Sequence, residues 1–220
     1  MFSHASAPAT TAPAASHVPA DIHAETGHRL PPIRRDDLDA DGQAVYDATL
    51  ASATAPYRGK SGPGGGLRGP AGIQLHNPEY RRHFQAMNDY LRFHSGIPPR
   101  VRELVILSTA REIHNQFEWA GHDIKARREG IEPELIEAIR VRGPLDGFAE
   151  ADAVAVRLAR EAISDEKVSA QTYAVALRHF GASQLVNLAG LIGHYLSVAV
   201  LLNLFDMQMW PERKALLPPR

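Results

Sequence analysis

The sequence predicts an all-α protein with a single helical domain. Apolar residues recur every three or four positions along most of the chain, and prolines and glycines separate these periodic segments. No segment shows the sustained alternation of apolar and polar residues that is typical of a half-buried strand. Hydrophobic residues make up 44% of the 220 residues, which is sufficient for the core of one domain of ordinary size.

The longest helical segment without an internal proline runs from Pro98 to Gly130. The two prolines at its start suit the first turn of a helix, where the missing N–H would have no partner within the helix. Gly130 suits the end, because glycine adopts the left-handed backbone conformation without strain. The polar residues 114–116 lie near the middle, and a break there would fold the segment back on itself.

Titratable residues are dense in this segment. Glu118 and His122 are four positions apart, so one helix places them on the same face. Glu103 would lie about 28 Å from His122 on one straight helix, given a rise of about 1.5 Å per residue. These two residues can meet only if the chain turns back at the break. If the chain does turn back at the break, the segment predicts a carboxylate–histidine site.

The other periodic segments carry their own start and stop signals. Asn77 and Pro78 provide a cap and a first-turn proline, and Ser169 caps a helix that Gly181 ends. The last predicted helix, residues 184–206, is long and apolar enough to raise the question of a membrane span. Polar residues interrupt it and the other helices are amphipathic, so a buried central or subunit-contact helix is favoured.

The helical domain is assigned to residues 31–210. Residues 1–30 are rich in Ala, Pro, Ser and Thr without periodicity, which predicts a flexible arm, or alternatively an arm that wraps a neighbouring subunit. The arm has no basic start and no apolar stretch, so no secretory signal is expected. Residues 211–220 form a short tail.

A glycine-rich loop covers residues 57–70. It superficially resembles a phosphate cradle, but no strand precedes it and its glycines do not lead into Gly-Lys-Ser at a strand–helix junction. We therefore interpret it as a mobile loop. Arg68, near its end, is either a bidentate ligand for a substrate carboxylate or an exposed loop arginine.

Charge and cysteine content narrow the function classes. The net charge is −1 with neutral histidines, so the sequence predicts neither a nucleic-acid partner nor an anionic-membrane surface. The chain contains no cysteine. It therefore forms neither a disulfide framework nor a redox-active thiol pair.

The spacing of Glu103, Asn115, Glu118 and His122 resembles that of the carboxymuconolactone decarboxylase family, which includes the alkylhydroperoxidase D-like proteins. In the redox branch of that family, a glutamate precedes a C-x-x-C pair, and a histidine follows four residues after the second cysteine. Glu103 and His122 match that glutamate and histidine, whereas Asn115 and Glu118 stand where the cysteines would be. Thiol peroxidase activity is therefore excluded, and the chain resembles the non-redox branch.

The resemblance covers residues 98–139 firmly and residues 70–204 more loosely. It implies an alkylhydroperoxidase D-like fold, a homo-oligomer that is a trimer or hexamer, and cytoplasmic aromatic-compound catabolism. It further implies a decarboxylase-like lyase, without cofactor or metal, that acts on a small carboxylated or oxygenated ring-derived metabolite. No nucleic acid or membrane is expected as a partner.

The hypothesis assigns catalysis and substrate binding to seven residues. His122 would carry the proton, and Glu118 or Glu103 would set its protonation state. The catalytic set is His122, Glu118 and Glu103, and the substrate-binding set is Arg68, Asn115, Trp119 and His194.

Each assignment has a structural alternative. Glu118 and His122 can form an ordinary helical pair, Glu103 can pair with Arg102, and Trp119 can belong to the core. Zinc or iron bound by Glu118, His122 and His194 also stays open. At the level of the whole protein, the alternatives are a non-catalytic small-molecule-binding helical oligomer and a purely structural one.

Overall fold

A computed structural model of the protein describes residues 19–51, 67–165, 167–209 and 216–219. Within these ranges the only extended pairing is an isolated bridge between His23 and His28, so the predicted all-α class is confirmed. A short 3-10 helix, Arg35–Asp37, precedes the first α-helix, and a π-helical turn, Tyr90–His94, follows the third. The α-helices are α1 (Ala40–Ala51), α2 (Pro70–Gln74), α3 (Pro78–Asp89), α4 (Pro99–Glu112), α5 (Gln116–Arg128), α6 (Pro133–Arg140), α7 (Glu150–Ser164) and α8 (Ala170–Leu204).

Helix α4 lies at the centre of the bundle. All of its residues from Val101 to Ala110 are buried, and α5, α7 and α8 pack around it. A helix that is covered on every side needs apolar or small residues around its whole circumference. The sequence from Leu104 to Leu107 meets that need, and these four side chains are fully buried.

The break predicted at residues 114–116 is confirmed. Helix α4 ends at Glu112, His114 adopts a left-handed φ of 57°, and α5 begins at Gln116. The side chain of Asn115 accepts a hydrogen bond from the backbone N–H of Glu118 and so caps α5. The two helices consequently pack against each other as an antiparallel pair.

Helix α8 is bent rather than straight. Gly181 has non-helical backbone angles, with φ of 72° and ψ of 165°, at the position where the sequence predicts a helix end. Among the described helices, only α8 is long and apolar enough to cross a membrane, and half of its apolar window is buried inside the protein. The buried face of α8 packs against α4 and α7.

The ends of the chain contribute to the folded body. Part of the predicted arm, residues 19–30, packs beside the end of α8: Arg29 N–H donates to the carbonyl of Phe205 at 2.9 Å. In the predicted tail, Leu217 is buried in the main core, and its backbone hydrogen-bonds to the Gln116 side chain. Most of the glycine-rich loop, residues 57–66, lies outside the described residues.

Candidate active site

A cavity of about 370 Å³ opens on one side of the α4–α5 pair. Helix α5 forms one wall, α3 with the π-helical turn forms the opposite wall, and α8 closes the inner end. Arg68 and Gly69 lie at the rim, just before α2. The lining includes three of the predicted catalytic residues and two of the predicted substrate-binding residues, namely Glu103, Glu118, His122, Arg68 and His194.

Glu103 and His122 form a buried pair across the α4–α5 interface. The distance from His122 Nδ1 to Glu103 Oε2 is 2.6 Å, and neither side chain is more than 5% exposed. Arg102 Nε donates to the other carboxylate oxygen at 3.1 Å. Because both oxygens of Glu103 accept hydrogen bonds, we assign the proton of the imidazole to Nδ1.

These contacts keep Glu103 ionised. Burial opposes its ionisation, but the attraction and hydrogen bond of His122 and the charges of Lys125 and Arg102 outweigh burial. Together they lower the pKa of Glu103 to about 2. At neutral pH the group is therefore a carboxylate that accepts from the His122 ring.

His122 remains a neutral imidazole. Burial and then the charge of Lys125 lower the pKa of His122 to about 3. Its second nitrogen, Nε2, is 3.2 Å from Lys125 Nζ, which donates to it. Burial and then the charge of Arg92 lower the pKa of Lys125 to about 8.

Glu118 differs from Glu103 although both are buried. Its Oε2 atom is 3.6 Å from His122 Nε2, which is beyond hydrogen-bond distance. Burial raises the pKa of Glu118, and the negative charge of Glu103 adds to the rise, although Lys125 and Arg92 oppose it. The site thus combines a carboxylate with a lowered pKa, Glu103, and a second carboxyl group whose pKa burial raises, Glu118.

The inner end of the cavity is aromatic. The His194 ring stacks on Phe84 with a centroid distance of 4.2 Å, and Tyr195 meets the edge of His122 at 5.1 Å. Burial and then the charge of Arg92 lower the pKa of His194 to about 4. This histidine is therefore a neutral ring at neutral pH, in contact with other rings.

The structure places two predicted substrate-binding residues away from the cavity. Asn115 is buried and uses its side-chain oxygen to cap α5. Trp119 is fully buried, and its ring belongs to the main apolar core. Neither residue lines the cavity: Asn115 is the N-cap of α5, and Trp119, one position after Glu118, faces the core.

Several cavity residues were not in the predicted set. Lys125 is three positions after His122, and helical spacing alone would have indicated that it shares the same face. Arg92 and Tyr195 come from the π-helical turn and α8, and no local pattern connects them to His122. Among the residues that the structure describes, no group of three or more His, Asp or Glu side chains is arranged to hold a metal ion.

The carboxymuconolactone decarboxylase family model matches residues 78–161, which run from α3 into α7 and include Glu103, Glu118, His122 and Lys125. Among curated proteins, none matches this chain significantly in sequence.

Solved structures share the fold at low sequence identity. One is the alkylhydroperoxidase AhpD core of an uncharacterized peroxidase-related protein from Ralstonia eutropha JMP134 (TM-score 0.64, 14% identity, 84% of this chain and 94% of that chain covered). Another is the debrominase Bmp8 in complex with 2,3,4-tribromopyrrole (TM-score 0.62, 14% identity, 82% and 90% covered). At such identity the similarity establishes the fold alone.

The family-model match covers the residues on which the resemblance rests, and the solved structures share the fold that the resemblance implies. The chain therefore contains a carboxymuconolactone decarboxylase family segment at residues 78–161 within an AhpD-like all-α fold, as the sequence predicts.

Proposed function

We propose that this protein is a carboxymuconolactone decarboxylase-like lyase that acts by glutamate–histidine acid–base chemistry on a small carboxylated, ring-derived metabolite. The observation that carries the proposal is the buried Glu103–His122 pair on the wall of a cavity, with a second, protonation-prone carboxyl group at Glu118 beside it. Two carboxyl groups whose environments push their pKa values apart are typical of acid–base sites.

The charge of the cavity supports an anionic substrate. Six cationic residues line it, against three acidic ones. Within the acidic set, Glu103 already pairs with Arg102 and His122. The cationic residues are Arg68, Arg81, Arg92, Arg102, Lys125 and Arg128, and the acidic ones are Glu103, Glu118 and Glu129.

Decarboxylation would use these groups in a defined order. Loss of CO2 leaves an electron pair on carbon, which is stabilised when an adjacent oxygen takes up the negative charge. Cations at that oxygen, such as Arg92 and Lys125, would stabilise it. Glu118, as the carboxylic acid, would then protonate the carbon.

The test is a panel of lactones and oxo acids from aromatic catabolism, with release of CO2 and loss of substrate as the readouts. Turnover of one member that is abolished in His122→Ala supports the proposal. Tight binding of a member without its consumption favours the alternative, a non-catalytic binding protein. A panel without any binding or turnover contradicts both functions.

Homo-oligomer formation is part of the same proposal. Helix α8 exposes apolar side chains, among them Val186, Val200 and Leu204, which are 62–72% exposed in the single chain. An uncharged helix face of this kind is typical of a subunit contact. Light scattering after size-exclusion chromatography tests it, and a monomer at micromolar concentration would contradict it.

A further inference from the structure

The proposed acid–base mechanism uses Lys125 only as a cation, but its contacts also suit a second role. Its Nζ atom is 3.2 Å from His122 Nε2, and His122 Nδ1 is in turn 2.6 Å from Glu103 Oε2. Carboxylate, imidazole and amine therefore form a hydrogen-bonded series. Both ring nitrogens of His122 are therefore engaged, and Lys125 itself lines the cavity.

The order of groups in this series is that of an activated nucleophile. Such sites place a nucleophile within hydrogen-bond distance of a base, and a third group orients that base. Here Arg102 also donates to Glu103 and fixes the orienting carboxylate. Lysine serves as the nucleophile in enzymes that form imines with carbonyl substrates, particularly where it is desolvated beside another cation.

The surroundings of Lys125 meet that condition. It lines the cavity, and the charges of Arg92 and Arg102 both lower its pKa. With a pKa of about 8, about a tenth of the side chain is the neutral amine at pH 7.

The proton that Lys125 must lose has an acceptor. After burial, the charge of Lys125 is the main cause of the low pKa of His122. When the proton moves from Nζ to Nε2, Lys125 becomes neutral and no longer repels a charge on the ring. The pair holds a single positive charge before and after the transfer. Glu103 remains ionised beside the ring and stabilises the imidazolium.

We propose that Lys125 is a nucleophile that forms an imine with the carbonyl carbon of a small oxo acid, with His122 as its base and Glu103 as the residue that orients the base. The inference rests on the proposed function only for the ligand class, an anion with a carboxylate and a carbonyl group. Formation of the imine itself requires no turnover.

The reaction balances without any further reactant. The Lys125 ammonium passes a proton to His122, and the neutral amine forms a C–N bond as the carbonyl π bond breaks. The carbonyl oxygen takes the proton from His122, and a second proton from Nζ, carried by the same imidazole, lets the oxygen leave as water. The nitrogen lone pair expels the water and the third proton stays on Nζ, so an ammonium and a carbonyl yield an iminium and water.

The iminium would promote decarboxylation of a 3-oxo acid. Its positively charged nitrogen accepts the electron pair of the C–CO2 bond as that bond breaks, which gives an enamine and CO2. Glu118 can protonate the enamine carbon, and water then hydrolyses the resulting iminium to release the product and regenerate Lys125. The amine thus acts as the electron sink of the reaction.

Reductive trapping tests the inference on the full-length protein. Glyoxylate and cyanoborohydride convert an imine at any lysine into a stable secondary amine, which peptide mass spectrometry locates. The chain has four lysines on separate peptides, Lys60, Lys125, Lys167 and Lys214, and the exposed Lys167 is the internal reference. We expect Lys125 to be modified at least about tenfold faster than Lys167 at pH 7, because more of it is neutral and a base adjoins it.

Variants separate nucleophilic from structural roles. His122→Gln should slow trapping at Lys125 at least about tenfold and leave Lys167 unchanged, and Lys125→Arg should remove the adduct. The inference is overturned if wild-type Lys125 reacts no faster than Lys167, a comparison that needs no variant. Turnover that persists in Lys125→Arg would also overturn it while leaving the proposed lyase function intact. Selective trapping without turnover of any panel compound would contradict the lyase and support the nucleophile.

Discussion

The two walls of the cavity differ in the chemistry that surrounds a buried histidine. On the α4–α5 wall, His122 has an ionised partner at each ring nitrogen, Glu103 at 2.6 Å and Lys125 at 3.2 Å. On the α3–α8 wall, His194 stacks on Phe84 and meets Tyr195. Both imidazoles are neutral at neutral pH because burial lowers the pKa of each. Of the two walls, only the α4–α5 wall can move a proton along a series of hydrogen bonds. We therefore expect the α4–α5 wall to carry the chemistry and the α3–α8 wall to pack against the ligand.

The largest expected difference is in catalysis. On a substrate from the panel, His122→Ala should lower kcat at least about a hundredfold, because it removes the link between Glu103 and Lys125. His194→Ala should lower kcat/KM by less than about tenfold, because it removes apolar contact alone. Equal losses in the two variants, with unchanged circular dichroism, would contradict the division between the walls.

Stability should also depend unequally on buried and exposed carboxylates. Glu103→Ala leaves Arg102 and His122 without their buried acceptor, and we expect the free energy of unfolding to fall by about 3 kcal/mol or more in urea titration. The control is Glu79→Ala, which breaks ion pairs to Arg82 and His83 on the surface and should change stability by less than about 1 kcal/mol. A Glu103→Ala protein as stable as the wild type would mean that the pair contributes nothing to folding.

We expect the stability of the protein to fall at acid pH because of His194 on the α3–α8 wall. The pKa of His194 is about 4 in the folded protein, below its ordinary value of 6.5. The unfolded chain therefore binds a proton that the folded protein does not, and stability is lost as the pH falls from 6.5 towards 4. His194→Phe should reduce the loss of unfolding free energy between pH 7.5 and pH 5 by about 2 kcal/mol. The exposed His83→Phe is the control, and an unchanged acid profile in His194→Phe would contradict a neutral buried His194.

The smallest expected effect concerns Asn115, for which the sequence suggests substrate binding. Its side chain caps α5, so Asn115→Ala should cost about 1 kcal/mol and lower Tm by about 2–4 °C. Asn115→Asp retains a capping oxygen and should restore most of the loss. A weaker affinity for the panel ligand in Asn115→Ala without any loss of Tm would reinstate the binding role.

The predictable part of the site lies within one continuous segment. Helical spacing joins Glu118 to His122, and the polar residues 114–116 indicate the turn that brings Glu103 to them. The same spacing extends to Lys125, so the sequence contains the signal for the whole hydrogen-bonded series. Trp119 shows where spacing fails: its position next to Glu118 does not reveal which side of α5 faces the core.

On the opposite wall, His194 is in the predicted substrate-binding set, but helical spacing connects neither His194 nor Arg92 to His122. Arg92 and His194 are about one hundred residues apart along the chain. The residue pattern of each helical segment predicts only that the segment is amphipathic or buried. Whether Arg92 and His194 approach His122 depends on how α3 and α8 pack against the central α4. That packing is set by all of the helix–helix interfaces together and not by any one helix.

The amino-acid sequence is sufficient to predict the helical class, the position of the α4–α5 turn and the family spacing of Glu103 and His122, and it contains no cysteine for thiol chemistry. These follow from local rules: which residues cap, break or share a face of a helix, and which atoms the chain contains. Only the packing of the helices shows that the pKa of Glu103 is lowered while that of Glu118 is raised, and that Lys125 adjoins the imidazole within a largely cationic cavity. The reason is that a pKa depends on burial and on nearby charges from several helices, which only the packed chain brings together.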